Sequence, residues 1–518
     1  MISDSPSTLG RSATDKSAKH SRCPADSTVS EQQHQDREAE QAVPLKRSVL
    51  SAVGWAGGTR FAAQLANWAM TLVTVRLLRP QDYGLMAITM AVAGFLASTS
   101  AIGFANVIVQ NRRITEEECR AVFGVILVIH AACLVVLCAV SPLIAWFYGE
   151  PRLVALLLVA SLMFIPLAFQ AIPRATLEKK FDLKTTSRVD LVANISGGAL
   201  ILLLAWSGAG VWSLVIGMLF TALLKTIGLS VVAPYFERPS FTFRNLSEIL
   251  LFGGLRSVEA ALWAVYSASD VFIIGRLLGS HVLGIYSVGR VVAALPVEKL
   301  MLVIGPVVFP AFAQVQHDRA GALQYLEKGI RLLAFLCLPV FFGLATTAPE
   351  IVELVLGPHW SEAATPLAIL ALGMALRPIG ALVSPFLVAI GEYVASFKNT
   401  LFATILFPLA FIVGSHWGLI GVCAAWLVAY PLQLGGLLRR VGHATKVPLV
   451  KLLLPLLSPL VGALIMFGAV SVVSGMLPAG LGTKTALAAL IGTGALVYLG
   501  YAAVMLRPVL AEVVHLLR

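Results

Sequence analysis

From about Val49 to the C-terminus, stretches of roughly 20 apolar residues alternate with short polar connections, each long enough to cross a hydrocarbon core as an α-helix. This spacing predicts an all-α polytopic membrane protein of about fourteen transmembrane helices. They start near Val49, Tyr83, Ala121, Leu153, Val189, Val211, Leu250, Leu283, Gly329, Ala363, Phe397, Gly418, Leu452 and Leu487. Positions 1–45 are of another kind: Ser, Gln, Asp, Glu and Lys dominate without an apolar period, which predicts a disordered cytoplasmic tail. The tail lacks the apolar core of a cleavable signal, so the run from Val49 is expected to act as an uncleaved first span.

Within this pattern short phrases occur twice in one order. Gly57-Gly58-Thr59-Arg60 returns as Gly253-Gly254-Leu255-Arg256, and Arg76-Leu77-Leu78 with Gly84 returns as Arg276-Leu277-Leu278 with Gly284. Pro166, Pro173 and Phe181 keep their spacing in Pro378, Pro385 and Tyr393, and Gly210-Val211-Trp212-Ser213 answers Gly418-Leu419-Ile420-Gly421. Ordered matches displaced by roughly 200 residues indicate a duplicated unit. Each copy holds about six spans, an even number that returns the chain to its starting side, so the copies share one orientation and form two lobes facing a cleft. The expected division is an N-terminal six-helix lobe over 46–240, a C-terminal six-helix lobe over 241–445 and an accessory helix pair over 446–518. That last pair belongs to neither copy and reads either as scaffolding or as a side groove for a lipid tail.

Composition agrees: 58% of the 518 residues are hydrophobic and 13% charged, against about 25% charged in soluble domains. The net charge of +11 would suit nucleic acid, but the basic residues cluster in alternate loops. Arg112, Arg113, Arg174, Lys179, Lys180, Lys184, Lys225, Arg238, Arg439, Arg440 and Lys446 share one side, and the loop after the ninth span carries Glu350, Glu353 and Glu362 without a Lys or Arg. This positive-inside asymmetry accounts for the basicity and places both termini in the cytoplasm. Trp146, Trp206, Trp212, Trp360 and Trp417 fall at the expected outer ends of spans, as an aromatic belt would. The six cysteines show no metal-ligand spacing, and the histidines are scattered. No D-x-D, HExxH or nucleotide-binding glycine loop is present, and no cofactor, metal or catalytic residue is expected.

Arg76-Leu77-Leu78-Arg79-Pro80-Gln81-Asp82-Tyr83-Gly84 resembles the "L-x-P-x-D-Y-G" signature of the polysaccharide transporter family, within the multidrug/oligosaccharidyl-lipid/polysaccharide (MOP) superfamily. Asp270-Val271-Phe272-Ile273-Ile274-Gly275-Arg276, followed by Gly284-Ile285-Tyr286, resembles the matching run of that family's second half. The resemblance implies a Wzx-type flippase of the bacterial inner membrane, moving undecaprenyl-pyrophosphate-linked sugar repeat units between leaflets for exopolysaccharide, capsule or O-antigen. It implies polysaccharide polymerase and export machinery as partners. The alternatives are a multidrug or peptidoglycan-precursor transporter of the same superfamily, or a polytopic polymerase or ligase, against which the short outer loops argue. Read locally, Pro80 and Gly84 suit a tight turn and Asp82 suits a helix cap, and Gly284 is the structural counterpart of Gly84 in the second copy.

Ionisable side chains inside spans cost about 2.5 kcal/mol or more on insertion scales and so gather at cavities or in pairs. Arg60 and Arg256 occupy matching positions in the two copies. With Arg290, Lys299 and Arg377 they are the candidates to attract a pyrophosphate across the cleft, since a guanidinium fork suits phosphate oxygens. The competing expectation is structural pairing, Arg256 with Glu259 and Lys299 with some acid. Asp270 and Glu259 are candidates for proton or sodium coupling, against a fixed salt bridge of Asp270 to Lys299 or Arg377. Pro296, Pro306, Pro310, Pro378 and Pro385 are expected to kink their helices.

Overall fold

Thr115 accepts a hydrogen bond from the Glu118 backbone N–H at 3.2 Å while the Glu118 carboxylate accepts one from the Thr115 N–H at 2.9 Å. This capping box opens helix α3, Glu116–Tyr148, which ends where Gly149 turns left-handed at φ 68°. Its 33 residues span about 50 Å at 1.5 Å per residue, longer than a bilayer core. Asp82 acts in the same way one helix earlier, where its Oδ2 accepts the Arg79 N–H at 3.1 Å across the first turn of α2, Pro80–Gln110.

In the computed structural model residues 68–509 are described, apart from 111–114, 181, 236, 242–246, 315–318, 479–480 and 508. The expected tail over 1–45, the start of the first span and Arg60 lie outside the described residues. Ahead of α2 lies α1, Trp68–Leu77. Beyond α3 follow α4 (Arg152–Ser161), α5 (Phe164–Lys179), α6 (Leu183–Trp206), α7 (Val211–Val232), α8 (Ser247–Leu277), α9 (Gly279–Gln314) and α10 (Arg319–Thr346). A short α11 (Ala348–Ile351), a π-turn over Val352–Leu356 and a 3₁₀ segment over Pro358–Ala363 lead into α12 (Ala364–Met374) and α13 (Arg377–Ala389). The chain closes with α14 (Tyr393–Ser415), α15 (Gly418–Thr445), α16 (Leu449–Met476) and α17 (Thr483–Met505).

Among the described residues, 11 helical stretches are long and apolar enough to cross a membrane. Together with α2 and α8 they occupy the expected positions from Tyr83 onward, and α1 lies at the end of the first apolar run. Their outward faces carry Val135, Leu203, Val428 and Leu496, all at least 62% exposed, in number and size that only lipid can solvate. The chain is a multi-pass, all-α membrane protein.

The duplication is visible in backbone detail. The fourth span is broken at Leu162–Met163 between α4 and α5, and the tenth at Ala375–Leu376 between α12 and α13. Each break is followed within a few residues by one of the paired prolines, Pro166 or Pro378, which sits in the first turn of the new helix where no backbone donor is needed. The other expected kink sites do not interrupt their helices: α9 runs as one helix through Pro296, Pro306 and Pro310, and α13 through Pro385.

Trp146, Trp206 and Trp417 are 79%, 78% and 71% exposed, as a belt requires. Trp360 is not part of it. Its side chain is completely buried, and its indole N–H donates to the Val75 carbonyl at 2.9 Å, joining the two lobes.

Candidate functional site

The two signature runs meet. At their crossing α2 and α9 approach so closely that a Cβ on Gly84 would overlap the Ser280 carbonyl, and one on Gly284 would overlap the Pro80 carbonyl. The contact is reciprocal, as a pseudo-two-fold axis demands. Gly84 and Gly284 lie inside α2 and α9, and Pro80 is the first residue of α2, so glycine here serves helix approach and the expected tight turn at Pro80 and Gly84 is not formed. Around it Arg76 Nε donates to the Val355 carbonyl at 3.1 Å, its Nη2 donates to the Leu354 carbonyl, and Ser280 donates to Glu150. Tyr83 packs edge-on to Trp360 at 5.5 Å, and the Arg276 guanidinium lies 5.4 Å from the Phe147 ring. The connections α1–α2 and α8–α9 thus form a seal between the lobes. Its strength rests on close packing and backbone acceptors, because Arg76 is exposed and its bonds compete with water.

Inside this seal lies a cleft of about 920 Å³. Its walls come from α1 and α2 on one side and from α8, α9, α10 and the segment around Ile351–Leu356 on the other. They are almost wholly apolar. The exceptions are the hydroxyls of Thr71, Ser267 and Ser287 and two cations, Arg290 and Lys299, with Trp68 and Trp263 as the large aromatic faces.

The two cations reach the cleft in different ways. Nine residues of α-helix leave Arg290 and Lys299 about half a turn apart. Lys299 shares the cleft-facing stripe of α9 with Val288 and Leu295, and its ammonium sits 5.1 Å from the Trp68 ring of the other lobe, a cation–π contact. Among the described residues it has no ion pair, contrary to the expected acid partner. Arg290 enters from the flank, where its Nε lies 3.5 Å from Asp270 Oδ2.

Asp270 is 1% exposed and stands behind the cleft wall. Its Oδ2 accepts the Tyr286 hydroxyl at 2.7 Å and its Oδ1 accepts the Val271 N–H at 2.8 Å. Tyr286 in turn accepts the Trp426 indole N–H at 2.9 Å. A chain of bonds therefore runs from Trp426 on α15 through Tyr286 on α9 to Asp270 on α8 and back to Arg290 on α9. The expected partner of Asp270 was Lys299 or Arg377; the structure supplies Arg290. Tyr286 and Arg290 sit four residues apart on one helix face, a spacing present in the sequence, whereas nothing in the sequence joins Trp426 to them.

Arg377 does not line the cleft. It opens α13, and its carbonyl accepts the Tyr430 hydroxyl at 3.3 Å. Arg256 and Glu259 belong to α8, but their side chains, like Arg60, lie outside the described residues. No group of His, Cys, Asp and Glu suited to hold a metal occurs among the described residues.

A second cavity of about 520 Å³ lies between α10, α16 and α17 and shares Pro296, Val340 and Ile351 with the cleft. Apart from Thr346, Thr347 and the Tyr498 hydroxyl, apolar side chains and glycine line it.

Comparison with known proteins places this architecture. The chain is similar to the succinoglycan biosynthesis transport protein ExoT of Rhizobium meliloti (strain 1021), with 25% identity over 81% of this chain and 85% of that protein. It is also similar to the lipopolysaccharide biosynthesis protein WzxC of Escherichia coli (strain K12), with 24% identity over 74% and 79% of the respective chains. Its fold is that of the lipid II flippase MurJ in an inward closed conformation, with a TM-score of 0.70 and 16% identity over 88% of this chain and 99% of that one. An inward-facing multidrug resistance MATE family transporter of the MOP superfamily aligns with a TM-score of 0.58 and 18% identity over 74% and 95%. Residues 73–365, more than half of the chain and spanning both motif runs, match the family described as polysaccharide biosynthesis protein. The chain belongs to that family.

Proposed function

We propose that the protein is a flippase that moves undecaprenyl-pyrophosphate-linked oligosaccharide repeat units across the bacterial inner membrane by alternating access of its two lobes. The observation that carries this reading is Lys299: an ammonium without an acid partner among the described residues, on the wall of an apolar cleft between the lobes of a polysaccharide biosynthesis family member. In a dry cleft a pyrophosphate attracts such a cation far more strongly than in water. The anion takes Lys299 from the Trp68 face, which removes one tie between the lobes as the substrate enters.

Arg290 is the weaker candidate, since Asp270 already neutralises it. Arg60 and Arg256 remain candidates from their matched positions in the two copies. The apolar cavity beside the cleft suits the polyprenyl tail, which stays in lipid while the sugar crosses. In this reading both termini are cytoplasmic, the seal built on Pro80–Gly84 and Gly284 closes the outer side, and the step is transport without covalent chemistry. Asp270 is the described candidate for proton or sodium coupling, because protonation would release Arg290. A polysaccharide polymerase and export machinery are the expected partners.

Equilibrium binding separates the reading from drug export. Purified protein should bind an undecaprenyl-pyrophosphate-linked oligosaccharide in preference to cationic dyes, and Lys299→Ala should weaken that binding about tenfold or more, the loss of a charge-assisted bond. Tighter binding of the dyes, unchanged in Lys299→Ala, would refute it.

A further inference from the structure

The junction of α10, α16 and α17 holds a further cavity of about 410 Å³ at the opposite end of these helices from the apolar one. Two tyrosines of α17 separate the pair. Tyr498 donates to the Phe335 carbonyl at 2.9 Å, and the Tyr501 hydroxyl lies 3.3 Å from Ser458 Oγ. Gly462 lets them in, since a Cβ there would stand 2.6 Å from the Tyr501 ring. The cavity shares no lining residue with the cleft or with the apolar cavity.

Its lining is amphipathic. Arg331 and Glu327 of α10 and Lys451 at the start of α16 provide the charges, and Leu454, Leu506 and Val509 provide an apolar wall. Lys451 Nζ is 3.8 Å from Glu327 Oε1. That oxygen is buried and accepts no hydrogen bond among the described residues, so it calls for a donor. Arg331 is exposed and makes no ion pair among the described residues, leaving one cation in excess.

Pro455 and Pro459 line the same wall, and each removes the helical partner of the carbonyl four residues before it, at Lys451 and Pro455. The site thus presents two cations for a phosphate, a carboxylate for hydroxyl donors, and apolar surface for an acyl chain. We infer that this cavity binds the headgroup of an anionic, hydroxyl-bearing phospholipid, a phosphatidylglycerol, whose phosphate bridges Arg331 and Lys451 while its glycerol hydroxyls donate to Glu327. Basic pockets between membrane helices bind anionic lipid headgroups by the same physics. The bound lipid fastens the accessory pair to the second lobe, and the inference requires only that the chain spans a membrane.

Native mass spectrometry of the full chain released from nanodiscs tests it, with phosphatidylglycerol, phosphatidylcholine and free glycerophosphoglycerol as probes. Phosphatidylglycerol should be retained in preference to phosphatidylcholine, and Arg331→Gln and Lys451→Gln should each weaken it about fivefold. Lys398→Gln, a cation on α14 outside the cavity, should leave it unchanged. Leu506→Trp should displace the lipid without altering charge, which keeps the test valid if a charge variant folds poorly. Equal retention of phosphatidylcholine, an equal loss in Lys398→Gln, or competition by glycerophosphoglycerol as effective as by the whole lipid would overturn the inference.

Discussion

Asp270 and Arg290 form an ion pair in a place where neither charge survives alone. Removing one partner of such a pair leaves an uncompensated charge and costs about 3–5 kcal/mol, whereas replacing both with apolar residues of similar volume is often neutral. Asp270→Asn should therefore lower the melting temperature in detergent markedly, while Asp270→Leu combined with Arg290→Met should recover most of the loss. Equal melting of the wild-type chain and both variants would contradict this arrangement. Tyr286→Phe removes the donor to Asp270 and strands the Trp426 N–H, at a cost of about 1.5–3 kcal/mol. The sequence made both charges of this pair legible, because they interrupt apolar runs. It assigned the wrong partner because Arg290 is 20 residues from Asp270 in the numbering, and the register of α8 against α9 decides which basic residue faces it. Trp360 shows the same limit: an indole near the end of an apolar run reads identically whether it faces headgroups or the other lobe.

Among the elements, the crossing of α2 and α9 is the feature whose repeats were visible in the sequence but whose purpose was not. Gly84 reads as a turn residue from its neighbours alone and Gly284 only as its repeat, since their reciprocal fit exists only once the two copies pack against each other. A methyl group at either position must push the helices apart. Gly84→Ala and Gly284→Ala should open the seal, so that an Ala87→Cys reporter on the cleft wall, in an otherwise cysteine-free chain, reacts with an impermeant maleimide added outside. The parent reporter should stay unreactive in the sealed state; equal labelling of both would remove the seal from the account. Trp360→Ala should act in the same direction and cost about 3–5 kcal/mol as well, since it deletes a fully buried aromatic. The matched breaks before Pro166 and Pro378 were foreshadowed by their conserved spacing in the two copies. The continuity of α9 was not, because a helix tolerates proline where its neighbours satisfy the freed carbonyls.

For the molecule as a whole, span positions and the duplication were readable because apolar length and repeated spacing are properties of the chain itself. The cleft, its seal and the split between Lys299 and Arg290 required the packing of helices far apart in sequence. Of the three candidate cations with described side chains, that packing leaves Lys299 on the cleft face with no acid partner among the described residues, pairs Arg290 with Asp270 and keeps Arg377 off the cleft. Lys299 on Trp68 is a further contact between the lobes, and in the proposed mechanism it is the side chain at which substrate binding and lobe opening meet. Proteoliposomes supplied with undecaprenyl pyrophosphate bearing one labelled sugar measure this directly. The wild-type chain should move label between leaflets, and Lys299→Ala, inserted and folded to the same extent, should lose at least about tenfold in rate. Undiminished translocation by Lys299→Ala would contradict the account.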